Sequence, residues 1–261
     1  ALHMWQREAL LHRSTWTNWN ILCVCVLPRW NRVIISMHCD SFLTQPLRII
    51  NRSQWLPDEE ENHNHVKRFY SCKSLNETIA AELFEGKTYP WEVLPEISDF
   101  IMKLGPTLNP SEYECKDGNV WIAKSAKIAP TAYINGPAII GKDAEVRHCA
   151  FIRGNVIVGE GAVVGNSTEL KNAVLFNKVQ VPHYNYVGDA VLGYKSHMGA
   201  GSICSNVKSD KKLVVVKDGD EKIETGLKKF GAMLGDHVEV GCGSVLNPGT
   251  VIGRNTNIYP L

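Results

Sequence analysis

Arg153 and Lys171 lie 18 residues apart, and in a chain that repeats every six residues that separation is one full turn of three hexads. Basic side chains stacked on neighbouring turns would present two positive charges to one anion, such as a phosphate ester. The ordinary fate of such residues is to be solvated surface cations. His183, next to Pro182, falls where the repeat loses its even spacing. With an unperturbed pKa near about 6.5, a histidine there can accept a proton at neutral pH, although a lone histidine beside proline is more often a loop or packing residue. Lys208, Lys211 and Lys212 form a basic run that could hold phosphate or simply be solvated. His63 and His65 stand in an acidic run and could chelate a metal, but polar loop surface is the commoner role. Cys23 and Cys25 lack the Cys-x-x-Cys spacing of redox and zinc sites.

The element that must position these residues is a hexapeptide repeat. From Ile122 an aliphatic or aromatic residue returns every sixth place through Ile128, Ile134, Ile140, Val146, Ile152, Val158, Val164 and Leu170 to Phe176. Four places after each of the first nine comes a small or β-branched residue, Ala126 to Val174. Neither a helix nor a flat strand has this period. A triangular coil does, each hexad giving one short strand and one corner. The register is expected to break after Phe176, where aliphatic positions fall at Val181, Val187 and Leu192. It recovers through Met198 and Cys204 and resumes from Leu234 to Ile258. The gap at about 208–233 reads as an inserted hairpin around the Asp218-Gly219 turn signal.

Upstream, residues 1–72 hold Trp5, Trp16, Trp19, Trp30 and Trp55 without clean periodicity and read as an irregular or non-native extension. Residues 73–112 read as a short helical cap. Ser74 and Glu77 have capping-box spacing, Pro90 and Pro95 can open helical turns, and Ile97, Phe100, Ile101 and Leu104 share one face before Gly105. An open coil would expose strand edges and its bore, so this cap is expected over the first coil. The coil, 113–261, is expected to continue past Leu261, which falls in mid-repeat.

Composition narrows the classes. With a net charge of +1 there is no general electrostatic case for nucleic acid or an anionic membrane. No stretch has the 18 or more apolar residues of a membrane span. The scattered cysteines read as free thiols in a reducing compartment, the cytoplasm.

The register resembles that of the left-handed parallel β-helix acyltransferases, many of which are trimers using acetyl-CoA or a related thioester. The stretches "FIRGNVIVGEGAVVGNSTELKNAVL", "VPHYNYVGDAVLG" and "MGAGSICSN" are similar to the acetyltransferase domain of bifunctional glucosamine-1-phosphate acetyltransferase/N-acetylglucosamine-1-phosphate uridylyltransferase. "KIETGLKKFGAMLGD" resembles the archaeal sugar-1-phosphate branch. The resemblance implies a mainly β, left-handed parallel β-helix with a short N-terminal helical cap. It implies acetyl-CoA as acyl donor, an amino-sugar phosphate as acceptor, a role in making UDP-N-acetylglucosamine, and a homotrimer. Carried over position by position, it gives His183 as general base and Arg153, Lys171, Glu169, Tyr186 and Asn206 as substrate-binding residues. It gives Ala200 and Cys242 as cofactor-binding residues and no metal ligands. His197 stands where the bacterial motif has asparagine, and the usual "YDG" is missing after Asn206, so the sugar is open.

No glycine-rich nucleotide loop precedes the coil, and the roughly 120 upstream residues could not hold a nucleotidyltransferase domain, so uridylyl transfer is not expected. Two other readings compete. A non-catalytic β-helix could bind a sugar phosphate without turnover. A γ-class carbonic anhydrase would need three histidines around zinc, whereas His148 and His183 are followed by Gly188 where a third ligand would fall.

Overall fold

The computed structural model describes residues 74–218 and 220–260, plus the backbone of one short antiparallel pair, Leu22–Cys23 against Ile35–Ser36. That pair belongs to a separate compact unit, Ala1–Asn51; everything below concerns the larger unit. The remainder of the predicted extension, with His63, His65 and the Cys25, Cys39 and Cys72 thiols, lies outside the described residues.

The larger unit is a β-solenoid whose rungs pair in parallel around a triangular bore. One face stacks Val120–Ala123, Ala138–Ile140 and Val156–Val158, then the second halves of Glu169–Leu175 and Tyr186–Leu192, then Ala232–Leu234 and Thr250–Ile252. A second face of seven strands runs from Lys127–Ile128 through Gln180–His183 and His197–Met198 to Asn257–Ile258. A third stacks Tyr133–Ile134, Phe151–Ile152, the first halves of the two long strands, Ile203–Cys204 and Val245–Leu246. The predicted bore residues are inside: Ile140, Ile152, Val158, Val164 and Leu170 are fully buried. Each such side chain contributes about 1.5–3 kcal/mol when removed from water.

The register slips one hexad earlier than the sequence pattern implied. Leu175, not Phe176, lies against Val158 and so continues the Ile122–Ile140–Val158 column. Turns of 18 residues, as from Val120 to Ala138, give way to turns of 17, as from Glu169 to Tyr186 and from Gln180 to His197. Phe176 is buried all the same, edge-on to Phe84 with ring centroids 5.6 Å apart. Its apolar character satisfied the six-residue pattern although it packs on the upstream segment.

That segment also departs from expectation. Ser74–Glu77, Ala81–Phe84, Pro90–Val93 and Gly105–Thr107 are single 3-10 turns, and only Ile97–Leu104 is α-helical among the described residues. Instead of sealing the first coil, the helix lies along the first face, against Val156–Val158 and Glu169–Leu175, while Pro90–Val93 reaches Tyr186–Leu192. The reason is in the strands. Ala138–Ile140, Val156–Val158 and Ala232–Leu234 are buried at every residue, so Ile139, Ile157 and Met233, whose side chains alternate with the bore residues, are covered from outside. Glu145–Val146 and Phe151–Ile152 on the other faces bury only the inward residue. Gly105 closes the helix in right-handed geometry, and its missing side chain serves packing: a Cβ there would lie 2.4 Å from the Trp121 ring. The start of the coil is closed by Tyr113–Lys116, antiparallel to Val120–Ala123.

The predicted insertion is a hairpin, Val215–Asp218 paired with Glu221–Glu224. Its flanks are buried: Val214 lies against Gly249 of the coil, and the Phe230 ring lies 5.6 Å from that of Trp91 in the upstream segment.

Candidate active site

The corner where the second face turns into the third carries His183. Backbone hydrogen bonds stack this corner rung by rung: Tyr184 N–H to the Asn166 carbonyl at 2.9 Å, Gly201 N–H to His183 at 3.0 Å, Gly243 N–H to Ala200 at 2.9 Å. His183, Ala200 and Cys242 are therefore vertical neighbours at about 4.8 Å per rung. With Arg147, Pro182 and His197 they line an open cavity of about 450 Å³. Two residues that the sequence reading passed over fix this corner. Gly165 lets its strand approach Pro182, where a Cβ would fall 1.6 Å from the carbonyl oxygen. Asn185, 2% exposed, accepts from the His183 N–H at 3.1 Å and donates to the carbonyls of Gly199 at 2.8 Å and Ser202 at 3.3 Å. It thus ties the histidine loop to the Ala200 turn.

The His183 imidazole is exposed and forms no hydrogen bond among the described residues. His197, one rung above Gln180, places Nδ1 2.8 Å from a carboxylate oxygen of Glu239. A carboxylate only accepts, so Nδ1 carries the proton and Nε2 is the free ring nitrogen of the neutral side chain. Gly199 and Gly201 spend their N–H groups on Val240 and His183, whereas the Ala200 N–H donates to no backbone group among the described residues.

Around the corner, the third face gathers Arg153, Glu169, Lys171, Tyr186 and Asn206. Phe151 opposite Glu169 and Ile152 opposite Leu170 put Arg153 beside Lys171 on the adjacent rung, as the 18-residue separation predicted. Their charges are not left pointing at empty solvent, however. Arg153 holds Glu169 at 2.8 Å, and Lys171 contacts both oxygens of Asp189 at 3.2 Å. Asp189, 4% exposed, also accepts from the side-chain amides of Asn172 at 3.0 Å and of Asn206. This carboxylate is the hub of the face, joining residues from three rungs. Asn206 also donates to the Tyr186 oxygen at 3.2 Å, and Gly188 leaves room for that phenol, since a Cβ would lie 2.5 Å from Oη. Burial, then Asp189 and Glu169, push the Tyr186 pKa up, so the phenol keeps its proton at neutral pH.

His148 shares the His183 corner but sits two rungs away, about 9–10 Å, with Asn166 between. Zinc binds imidazole nitrogen at about 2.0–2.1 Å, so one chain does not bring these histidines to one ion.

Residues 134–252 match the family described as the GMPPB C-terminal domain, a span that contains every site residue named above. The chain is 37% identical over 97 residues to the bifunctional sugar-1-phosphate nucleotidylyltransferase/acetyltransferase of Sulfurisphaera tokodaii, covering 37% of this chain and 24% of that one. It is 34% identical over 172 residues to the bifunctional protein GlmU of Methanococcus maripaludis, covering 65% of this chain and 42% of that one. A solved hexapeptide transferase family protein from Anaplasma phagocytophilum aligns at 23% identity and a TM-score of 0.38, over 52% of this chain and 75% of that one. Hexad register and parallel three-faced coil together define a hexapeptide-repeat β-solenoid. Its curated relatives are the sugar-1-phosphate nucleotidylyltransferase/acetyltransferases of the GlmU type, and the chain spans about a quarter to two fifths of their length.

Proposed function

We propose that the chain is an acyltransferase that moves an acetyl group from acetyl-CoA to the amine of an amino-sugar 1-phosphate, in the formation of a nucleotide sugar of the UDP-N-acetylglucosamine kind. The observation that carries this reading is the corner itself. It sets a histidine free of hydrogen bonds one rung from an unspent backbone N–H and beside a face of paired cations.

In this scheme the cofactor supplies the activated acyl group. Arg153 and Lys171 hold the sugar phosphate. Arg153 has guanidinium donors beyond the one given to Glu169, and Lys171 is oriented by Asp189. Tyr186 and Asn206 offer neutral hydrogen-bonding groups to the sugar, with Glu169 at the edge of the same face. His183 takes the proton from the attacking amine as the new C–N bond forms, and passes it to the departing thiolate as the C–S bond breaks. The Ala200 N–H faces the oxygen on which negative charge develops. Cys242 and His197 line the cavity, and no covalent acyl-enzyme is needed when both substrates are bound together. A homotrimer, with a neighbouring copy's later rungs against the His183 corner, and a cytoplasmic location complete the reading.

The test is thiol release from acetyl-CoA in the presence of glucosamine 1-phosphate. Removing a general base lowers the rate by a factor of about 10²–10⁴, which is the result expected for His183→Ala. Wild-type activity in that variant would remove the proposed base. Sugar-phosphate binding without thiol release by the unmodified chain would favour the non-catalytic reading.

A further inference from the structure

The opposite edge of the second face holds a second set of cations that the acyl-transfer reading does not use. Lys178, Lys195 and His237 occupy one corner on three successive rungs, stacked through Lys195 N–H to Asn177 at 3.2 Å and His237 N–H to Tyr194 at 2.9 Å. All three have left-handed backbone, with φ of 60°, 55° and 56°. On flanking rungs this corner carries Asp143, Gly161 and Asn255, types that the conformation favours; the three central positions carry two lysines and a histidine instead. Both ammonium groups lie over the Tyr194 ring, at 5.8 and 5.2 Å from its centre, and His237 meets the ring edge-on at 5.6 Å. One aromatic ring thus holds the cations together.

Neither lysine forms an ion pair among the described residues, whereas Arg147, Arg153 and Lys171 each do. Glu239, the acid that lines the same cavity, is engaged by His197. Asp236 is buried and accepts the Tyr194 N–H at 2.9 Å. Glu160, on the preceding rung, accepts the Lys178 N–H through its backbone carbonyl at 2.8 Å, and its carboxylate pairs with neither lysine among the described residues. Like charges on rungs about 4.8 Å apart repel, and a multiply charged anion spanning the rungs relieves that repulsion. Lys178, Lys195 and His237 line an open cavity of about 510 Å³ together with Gln180, His197 and the Glu239 carboxylate, so whatever is attached to the anion meets an amide, an imidazole and one acid already held by that imidazole.

We infer that Lys178, Lys195 and His237 form a binding site for the diphosphate of a nucleotide, distinct from the His183 corner. The linked phosphates lie along the coil axis against successive cations, and the nucleoside or its substituent rests over the second face. The assignment does not rest on acyl transfer, and its readout is binding.

Titration calorimetry on the full chain with inorganic pyrophosphate, UDP and coenzyme A tests it. Binding of pyrophosphate is expected, weakened about tenfold or more in Lys178→Gln/Lys195→Gln, where two charge-assisted contacts are lost. It should be unchanged in Lys228→Gln/Lys229→Gln, which removes the same charge from exposed positions on the inserted segment. Circular dichroism should show both double variants folded, because every replaced side chain is exposed. A selective loss for UDP assigns the site to a nucleotide sugar, and a selective loss for coenzyme A assigns it to the cofactor's nucleotide. No pyrophosphate binding, equal weakening in the two double variants, or no loss for either nucleotide would overturn the inference.

Discussion

Asp189 is the residue on which the third face depends, because its two oxygens receive Lys171, Asn172 and Asn206 from neighbouring rungs. Asp189→Asn keeps the volume and removes the charge that aims Lys171. We expect a rise of about tenfold in KM for the sugar phosphate with kcat changed less, and a lowered melting temperature because the amide nitrogen replacing one oxygen faces a buried donor, read by steady-state kinetics and a thermal melt. The thiols give an independent check on the bore. Burial pushes the Cys204 pKa up to about 12, while Cys115, Cys149 and Cys242 are exposed. Alkylation at neutral pH followed by peptide mapping should modify those three and leave Cys204 untouched until the protein is denatured. At this scale the sequence carried residue type and spacing well: Arg153 and Lys171 do stack, and His183, Ala200 and Cys242 share one corner. It did not carry the partners. That Glu169 and Asp189 already hold the two cations depends on which side chains meet across rungs, and a repeat period is silent on that.

Among the elements, the faces of the solenoid are held close by glycine where backbone meets backbone. At Gly165 an added Cβ would fall inside the Pro182 carbonyl, and at Gly159 it would lie 2.4 Å from the Phe176 backbone. Gly165→Ala should therefore cost several kcal/mol in denaturant unfolding, about 3 or more, since backbone rather than a flexible side chain must move. Ile157→Ala, on the outer surface of the first face beneath the helix, should cost about 2–5 kcal/mol. A helix that merely covered the mouth of the coil would leave that position insensitive. The docking of the helix was legible in principle. "AII", "VIV" and "AML" are apolar on both sides of the strand, whereas "EV" and "FI" on the other faces are followed by polar or glycine residues. The six-residue period draws the eye to the inward residue of each triplet and hides the outward one. The early register slip was hidden for a related reason. Leu175 and Phe176 are adjacent and both apolar, so either satisfies the pattern, and only the pairing with Val158 decides between them.

For the whole molecule, each rung contacts chiefly its neighbours, so protection should be highest in the middle and fall toward the ends. Hydrogen exchange should show the slowest amides in Glu169–Leu175 and Tyr186–Leu192, flanked on both sides and covered by the upstream segment, and faster exchange in Asn257–Ile258. Alkali should weaken the entire unit. Burial raises Tyr113 and Tyr186 above 10.0 and Cys204 to about 12, so each loses its proton more readily in the unfolded chain. Stability is thus complete below the unfolded values and declines as the pH climbs past about 9 to 10, which melts recorded across that range would display. The strand Tyr113–Lys116 has a consequence at the largest scale. Parallel rungs are self-templating, because the exposed edge of one is the mould for the next, and a stack of copies could grow from it without limit. At this end the mould is spoiled. The last edge runs antiparallel, its free donors and acceptors fall in alternating narrow and wide pairs, and Glu114 and Lys116 put opposite charges 3.0 Å apart along it. One reversed strand thus spoils the mould on the first face, while Lys127–Ile128 and Tyr133–Ile134 begin the other two faces with parallel edges.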